Sequence, residues 1–337
     1  MTPGEQHVDA VRSTTVPDGT GRRASTIEAR RLTKRYGEKL AVDDLSFDVK
    51  PGHVTGFLGP NGAGKSTTLR LIMGLDHPNG GSVTLNGRAY HDLAWPLREV
   101  GALLEANAIH PGRSAFAHLS MLARTNHIPR RRVDEVLDLV GLASVARQRA
   151  GQFSLGMSQR LGIASALLGD PGVLLFDEPV NGLDTDGIRW VRHLLRRLAS
   201  EGRTVLVSSH LMNEMALTAD QVVVIGKGRL IAEMPIDEFT STNSRSYVRV
   251  RSPQLDQLRP ALAAAGATVS NEEDGSVSVR GMSEEQIGEL AWNHSILLYE
   301  LAPKAPSLEE AFVESTERDL EYRGEHPNAG TGTTNGV

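Results

Sequence analysis

The feature that most constrains the fold of this 337-residue chain is a glycine-rich segment between a predicted strand and a predicted helix. The segment reads Gly59-Pro60-Asn61-Gly62-Ala63-Gly64-Lys65-Ser66-Thr67. Glycines let backbone N–H groups curl around phosphate oxygens, and the start of the following helix adds positive potential. Lys65 is placed to reach the β- and γ-phosphates, and the Ser66 hydroxyl to bind Mg²⁺. The segment therefore predicts a nucleotide-binding site in an α/β fold.

Composition limits the classes of protein to which the chain can belong. Hydrophobic residues make up 39% and charged residues 23%, which is typical of globular proteins, and the length suggests about two domains. The formal net charge of −5 argues against a dedicated nucleic-acid-binding protein. The absence of cysteine excludes disulfides and thiolate metal sites. Since no apolar run approaches the ~20 residues that a membrane-spanning helix needs, we expect membrane contact only through a partner.

An acidic pair follows a second apolar run, at residues 173–176. A strand that ends in Asp177 would present its carboxylate to the hydration shell of Mg²⁺, beside Ser66. Glu178, one residue further on, is placed to polarise an attacking water as a general base. The glycine-rich loop alone fits a GTPase, a kinase or a motor protein, and the acidic pair adds hydrolysis to nucleotide binding.

Three further motifs follow in order, and an aromatic residue, Tyr36, precedes the glycine-rich loop. The motifs read Phe153-Ser154-Leu155-Gly156-Met157-Ser158-Gln159-Arg160, Asn181-Gly182-Leu183-Asp184 and Ser208-Ser209-His210. With the loop and the acidic pair, this order resembles the ATP-binding subunit of an ABC transporter over residues 27–233. In that family the first of the three motifs is the signature segment (residues 153–160), and the second is the D-loop (residues 181–184).

The resemblance implies a role for each matching residue. Tyr36 would stack on adenine, and His210 would hold the γ-phosphate and Glu178 in register. The signature segment would bind the γ-phosphate of the ATP held by an opposite subunit. The expected catalytic residues are Glu178, His210 and Lys65. The expected ligands of Mg²⁺ are Ser66, Asp177 and Glu105. The expected contacts to ATP are Tyr36, Gly59, Asn61, Gly62, Ala63, Gly64, Lys65, Ser66, Thr67, Glu105, Ser154, Gly156 and Asp184.

Three positions depart from the usual pattern of the family. Glu105 stands where most relatives have a glutamine, and it adds a negative charge near the γ-phosphate. Leu155 replaces the first glycine of the signature segment, and Met157 replaces its glutamine. Similar substitutions occur in the export branch of the family, so they favour an exporter over an importer.

The expected fold class is α/β: a P-loop NTPase core of the ABC type with a helical subdomain, plus a small C-terminal α+β domain. Low hydrophobicity predicts disordered tails at residues 1–25 and 319–337. Between them we expect the ATP-binding domain at 26–240, its helical subdomain at about 106–168, and an accessory domain at 245–318. In the accessory domain, apolar runs predict a strand over 296–301 and a helix over 307–317.

These observations predict an ATP-binding and ATP-hydrolysing subunit that uses Mg²⁺ and exports a drug, antibiotic, peptide or lipid-like substrate. The resemblance implies a separate transmembrane permease and a second ATP-binding subunit, in a homodimer at the cytoplasmic side of the cell membrane. An importer subunit is an alternative. A second alternative is a soluble ABC-type ATPase acting on ribosomes or DNA, which the single cassette and the acidic net charge disfavour. We expect no nucleic-acid partner.

Overall fold

The computed structural model describes residues 26–105, 108–243, 247–272, 274–304, 307–309, 311–313 and 315. Both predicted tails, at residues 1–25 and 319–337, lie outside these residues. The strands are β1 (Ile27–Tyr36), β2 (Lys39–Val49), β3 (Val54–Leu58), β4 (Gly80–Leu85), β5 (Val100–Leu103), β6 (Val173–Asp177), β7 (Thr204–Ser208), β8 (Gln221–Gly226), β9 (Arg229–Pro235), β10 (Tyr247–Arg251), β11 (Thr268–Asn271), β12 (Val277–Arg280) and β13 (Glu300–Lys304). The helices are α1 (Lys65–Ile72), α2 (Pro96–Glu99), α3 (Ala115–Thr125), α4 (Arg131–Leu139), α5 (Leu155–Leu167), α6 (Thr185–Ser200), α7 (Met212–Ala216), α8 (Ile236–Asn243), α9 (Leu255–Ala264) and α10 (Glu284–Asn293).

The central element is a six-stranded sheet in the order β5-β6-β7-β3-β8-β9, parallel except at β9. Its strands are apolar without interruption because both faces are covered. In β6, Val173 and Leu175 belong to one hydrophobic cluster, and Leu174 and Phe176 belong to the other. This alternation is the two-residue period of a strand, and it assigns the two clusters to opposite faces of the sheet.

Each face of the central sheet has its own covering layer. One cluster includes residues of α1 and of an antiparallel sheet in the order β2-β1-β4. The other cluster includes buried residues from helices α3 to α6, namely Leu119, Val136, Ile163 and Val191. Each fully buried side chain of this size stabilises the fold by roughly 1.5–3 kcal/mol relative to an exposed one. The sheet is therefore a rigid base for the loops at its edge.

The parallel strands bring three functional segments to one edge of the central sheet. β7 lies between β6 and β3, and Ser208 at its end pairs with Asp177 of β6 and with Phe57 of β3. The glycine-rich loop leaves β3, the acidic pair ends β6, and His210 follows β7. Ligands of open parallel sheets bind at the carboxyl ends of the strands, so this edge is the candidate site.

A separate antiparallel sheet in the order β11-β12-β10-β13 lies towards the C-terminus, and its core includes Leu258 of α9 and Ile287 of α10. The predicted strand over 296–301 is wrong, because the strand is β13 and begins at Glu300. Ile296 instead donates its backbone N–H to Ala291 at the end of α10 and buries its side chain in this core. An apolar residue therefore stands at position 296 because it fills the core after the end of α10, and not because it pairs in a strand.

The last described segment returns to the ATP-binding part of the chain. Residues 308–309, 311–313 and 315 are helical, and the remainder of the predicted helix over 307–317 lies outside the described residues, apart from Ser307. Leu308 and Ala311 are buried in the cluster that covers the central sheet, together with Phe239 of α8. This segment therefore packs on the unit that contains the central sheet.

Candidate active site

The glycine-rich loop wraps the N-terminus of α1, and one glycine is decisive for its shape. Gly64 precedes α1 with φ +106°, a conformation that favours glycine. A Cβ at this position would lie 2.5 Å from the carbonyl oxygen of Ala41, closer than atoms can approach. Only glycine therefore lets the loop approach β2 this closely.

Lys65, the first residue of α1, lies almost buried beneath this loop, with 8% of its surface exposed. Its Nζ donates hydrogen bonds to the carbonyl oxygens of Gly59 at 2.6 Å and Pro60 at 3.4 Å. Burial lowers the pKa of Lys65, and the carboxylates of Glu178 and Asp177 oppose that shift. An anionic phosphate beside the ammonium would stabilise its charged form further.

A cavity of about 510 Å³ lies at this edge of the sheet. It is lined by Lys39, Ala41, Pro60, Asn61, Gly62, Gly64, Lys65, Ser66, Thr67, Leu104, Asp177, Glu178, Asn181 and His210. The structure thus brings together the glycine-rich loop, the acidic pair and the histidine. Seven predicted residues are not among the residues that line the cavity: Tyr36, Gly59, Ala63, Glu105, Ser154, Gly156 and Asp184. Ala63, within the loop, is buried, with 2% of its surface exposed.

The acidic pair is oriented by Ser208 at the end of β7 and by His210 just beyond it. The Ser208 hydroxyl donates a hydrogen bond to Oδ1 of Asp177. Oε2 of Glu178 lies 2.8 Å from Nδ1 of His210 and accepts a longer bond, 3.4 Å, from the His210 backbone N–H. A carboxylate hydrogen-bonded to an imidazole at the mouth of a phosphate pocket is suited to accept a proton from water.

Tyr36 lies at the rim of the loop, with 44% of its surface exposed. Its hydroxyl donates to Oδ2 of Asp76 at 2.7 Å, and this bond is the main reason why the pKa of Tyr36 is raised. Arg70 of α1 donates to the same oxygen at 2.7 Å, so hydrogen bonds from Arg70 and then Tyr36 hold the pKa of Asp76 below its usual value. The ring is therefore fixed beside α1, with Lys34 Nζ 4.9 Å from its centroid.

The signature segment begins α5, and its residues Ser154 and Gly156 do not line the cavity. Ser154 caps this helix, its Oγ accepting the N–H of Met157 at 3.2 Å. Asp184 caps α6 in the same way, its Oδ1 accepting the N–H of Gly187 at 2.8 Å. Ser154 is exposed, so the start of α5 presents backbone N–H groups and a hydroxyl to an anion from outside the chain.

Leu155 of the signature segment packs against Gly182 of the D-loop. Gly182 has φ +73°, and a Cβ there would lie 2.1 Å from Cδ2 of Leu155. The leucine that departs from the family pattern therefore fits because the D-loop carries a glycine opposite it.

We expect Gly182→Ala to lower the free energy of unfolding by about 1–2 kcal/mol from left-handed strain, and by a further ~0.5–1.5 kcal/mol because the half-exposed Leu155 side chain must leave its rotamer to avoid the new methyl group. Leu155→Ala in the same chain should remove only the second loss. Gly52→Ala is the matched control, because Gly52 has φ +80° and no described atom lies within 4 Å of its Cβ position. Denaturant titration measures these differences, and equal losses at Gly182 and Gly52 would contradict the packing argument.

The side chains that line the cavity include oxygen ligands that suit a magnesium ion. The Ser66 hydroxyl and the carboxylate of Asp177 are oxygen ligands of the kind that Mg²⁺ prefers, and both line the cavity. Glu105 is exposed, and its neighbour Leu104 lines the cavity instead. Ser66 and Asp177 therefore provide ligands that are suitable for Mg²⁺.

Comparisons with known proteins agree with this geometry. The family model described as ABC transporter matches residues 42–181, and a domain of unknown function (DUF8746) matches residues 246–309. The uncharacterized ABC transporter ATP-binding protein YhcH of Bacillus subtilis is 37% identical over 303 residues, which cover 87% of this chain and 96% of the relative. The chain belongs to the family of ABC transporter ATP-binding proteins. The predicted ATP-binding and ATP-hydrolysing subunit of an ABC transporter is thus confirmed.

Two further similarities extend this identification. The bacitracin transport ATP-binding protein BcrA of Bacillus licheniformis is 40% identical over 228 residues, covering 67% of this chain and 74% of the relative. The dimeric post-hydrolysis structure of the ATP-binding cassette MJ0796 bound to ADP and Pi has a TM-score of 0.58 and 26% identity, and the match covers 62% of this chain and 98% of that one. The predicted α/β fold class of the ABC ATPase is confirmed. ATP-binding domains of this family dimerise and act with transmembrane permeases.

Among the described residues, no helix combines the length and the apolar character required to span a bilayer.

Proposed function

We propose that this ABC transporter ATP-binding protein hydrolyses ATP with Glu178 as the general base. The observation that carries the proposal is the Glu178 carboxylate, 2.8 Å from His210 and lining the same cavity as the glycine-rich loop. Lys65 and the N–H groups of the loop bind the phosphates. Glu178 then accepts the proton of the attacking water, and His210 keeps the carboxylate oriented towards the γ-phosphate.

Magnesium, where bound by Ser66 and Asp177, would neutralise charge on the β- and γ-phosphates. The Ser208 hydroxyl holds the Asp177 carboxylate in place by donating to Oδ1. Tyr36 provides an exposed aromatic ring at the rim of the loop, where adenine can stack. Glu105, exposed and adjacent in the chain to Leu104, is proposed as a contact to ATP and Mg²⁺.

A second copy of the chain supplies the remaining contacts to each ATP. Ser154 and Gly156 are not among the described residues that line the cavity, and Ser154 is exposed at the start of α5. A head-to-tail homodimer would bring this helix start, and Asp184 of the D-loop, to the nucleotide bound by the opposite subunit. Dimer closure on ATP and opening after hydrolysis is then a population shift driven by the ligand.

The proposed biological role is export of a drug, antibiotic, peptide or lipid-like substrate through a separate permease, from the cytoplasmic side of the cell membrane. The similarity to the bacitracin transport protein over 67% of the chain supports a role in transport of an antibiotic-like substrate. Leu155, packed on Gly182, gives the departure from the family pattern a structural basis. The cargo contacts the permease, so its identity must be read from that partner.

Co-purification tests this role. Tagged Glu178→Gln protein, incubated with ATP in detergent-solubilised membranes of its own host, should retain an integral membrane protein with about six apolar spans of ~20 residues. The matched control is the same protein without ATP, in which the closed dimer is not populated and recovery should fall. Recovery of ribosomal or DNA-repair proteins without a membrane protein would contradict the transporter role, and would leave the ATPase activity unaffected.

A further inference from the structure

Glu178 has a strained backbone. Its φ is +51°, in the left-handed region that residues with a side chain seldom occupy. Such conformations persist where neighbouring contacts fix them, and they cluster at functional sites. The direction in which the Glu178 side chain leaves the backbone therefore depends on the groups that hold its two peptide units.

The peptide N–H of Glu178 is held by β7. It donates to both oxygen atoms of Ser208, the backbone carbonyl at 3.2 Å and the hydroxyl at 3.1 Å. Since Ser208 is buried and also donates to Asp177, this side of the turn is fixed by the central sheet.

The carbonyl of Glu178 is held from a different direction. It accepts the backbone N–H of Asn181 at 3.2 Å and the side-chain Nε2 of Gln159 at 3.0 Å. Gln159 lies on α5, in the signature segment, with 4% of its surface exposed. It is five residues from the exposed cap Ser154, and it does not line the nucleotide cavity.

The neighbouring side chains of α5 are directed elsewhere. Arg160 donates to the carbonyl of Val140 at 3.0 Å, and Ser165 donates to the carbonyl of Leu161 within the helix. Among the described residues, Gln159 makes the side-chain hydrogen bond that joins α5 to the acidic pair. This bond connects α5 to the backbone carbonyl of Glu178, whose conformation sets the direction of the Glu178 carboxylate.

We propose that Gln159 is a positioning residue for ATP hydrolysis: its amide holds the carbonyl of the left-handed Glu178, so that the carboxylate meets His210 and the attacking water. This inference rests on the proposed role of Glu178 as the general base. Gln159 does not line the nucleotide cavity, so its loss should act on the rate of hydrolysis and not on ATP affinity.

Gln159→Met tests the inference in the full-length protein, because methionine keeps the length and volume of the side chain and removes the donor. We expect kcat to fall about 10-fold, since small misplacements of catalytic groups cost one to two orders of magnitude. The dissociation constant for ATP should stay within about twofold of wild type. Ser165→Ala is the matched control, because it removes a side-chain donor from the same helix without touching Glu178.

A double-variant cycle separates positioning from a general structural effect. In single-turnover hydrolysis, Gln159→Met should cost about 10-fold in the wild-type background and less than about twofold in the Glu178→Gln background, because the two residues act through one group. Equal costs in both backgrounds would overturn the inference. So would a kcat within twofold of wild type, or an ATP affinity that falls as much as kcat.

The design also distinguishes this inference from the proposed function. If Glu178→Gln keeps wild-type turnover, the assignment of the base is wrong and the inference falls with it. If Glu178→Gln is impaired and Gln159→Met is not, only the role of Gln159 is wrong. Should Gln159→Met fail to fold, Gln159→Leu replaces it under the same criteria, because leucine is apolar, is no larger than glutamine and has no hydrogen-bond donor.

Discussion

Glu178→Gln is expected to hydrolyse ATP at least about 100-fold more slowly than the wild-type chain while binding ATP with unchanged affinity. The amide has the shape of the carboxylate and can still accept a hydrogen bond from His210, whose Nδ1 lies 2.8 Å from Oε2. It cannot accept the proton of the attacking water. Lys65 and the glycine-rich loop are unchanged, so the phosphates should bind as before. Phosphate release at saturating ATP, with a separate binding titration, measures both quantities.

The control for this substitution is Glu289→Gln, which removes the same charge from an exposed position on α10. It should leave turnover within about twofold of wild type. If Glu178→Gln hydrolyses ATP as fast as this control, Glu178 is not the base. If its ATP affinity falls with its turnover, the carboxylate contributes to nucleotide binding instead.

The sequence predicts those parts of the site whose residues lie close together in the chain. The glycine-rich loop contains its own turn, its lysine and the start of its helix, so its fold follows from local rules. Asp177 and Glu178 end a strand whose uninterrupted apolar run predicts burial on both faces. In the structure these two segments line one cavity because their strands are parallel and end at the same edge.

The contacts that orient the base join residues distant in the chain, and the sequence contains no local signal for them. Gln159 meets Glu178 across 19 positions, and Ser208 meets it across 30. Both depend on how α5 and β7 pack against β6, which no periodicity or turn rule specifies. The quoted motifs contain both residues, but their partners became visible only in the folded chain.

The predicted strand over 296–301 fails for a related reason. Buried apolar residues satisfy strand and helix-end patterns equally well, and periodicity alone does not separate them in a run of this length. Ile296 is buried after α10, whereas Leu297 and Tyr299 are more than half exposed. The pairing of β13 with β10 starts later, at Glu300.

Lys65→Met is expected to weaken ATP binding about 10- to 100-fold, because hydrogen bonds to charged groups contribute roughly 1.5–3 kcal/mol and each 1.4 kcal/mol is a factor of ten. Methionine keeps the apolar stem and removes the ammonium. The nucleotide-free protein should be no less stable. Burial lowers the pKa of Lys65, so its charge carries a folding cost at neutral pH that would disappear only as pH rises through the lowered value.

We therefore expect Lys65→Met to lower the affinity for ATP without lowering the stability of the nucleotide-free protein. A ligand titration measures the affinity, and a thermal melt of the nucleotide-free protein measures the stability. Lys50→Met, at an exposed lysine beyond the end of β2, is the control and should change neither quantity. If the nucleotide-free Lys65→Met protein melts well below the control, the bonds from Nζ to Gly59 and Pro60 stabilise the loop by more than burial of the charge costs. If ATP affinity is unchanged, Lys65 does not contact the phosphates.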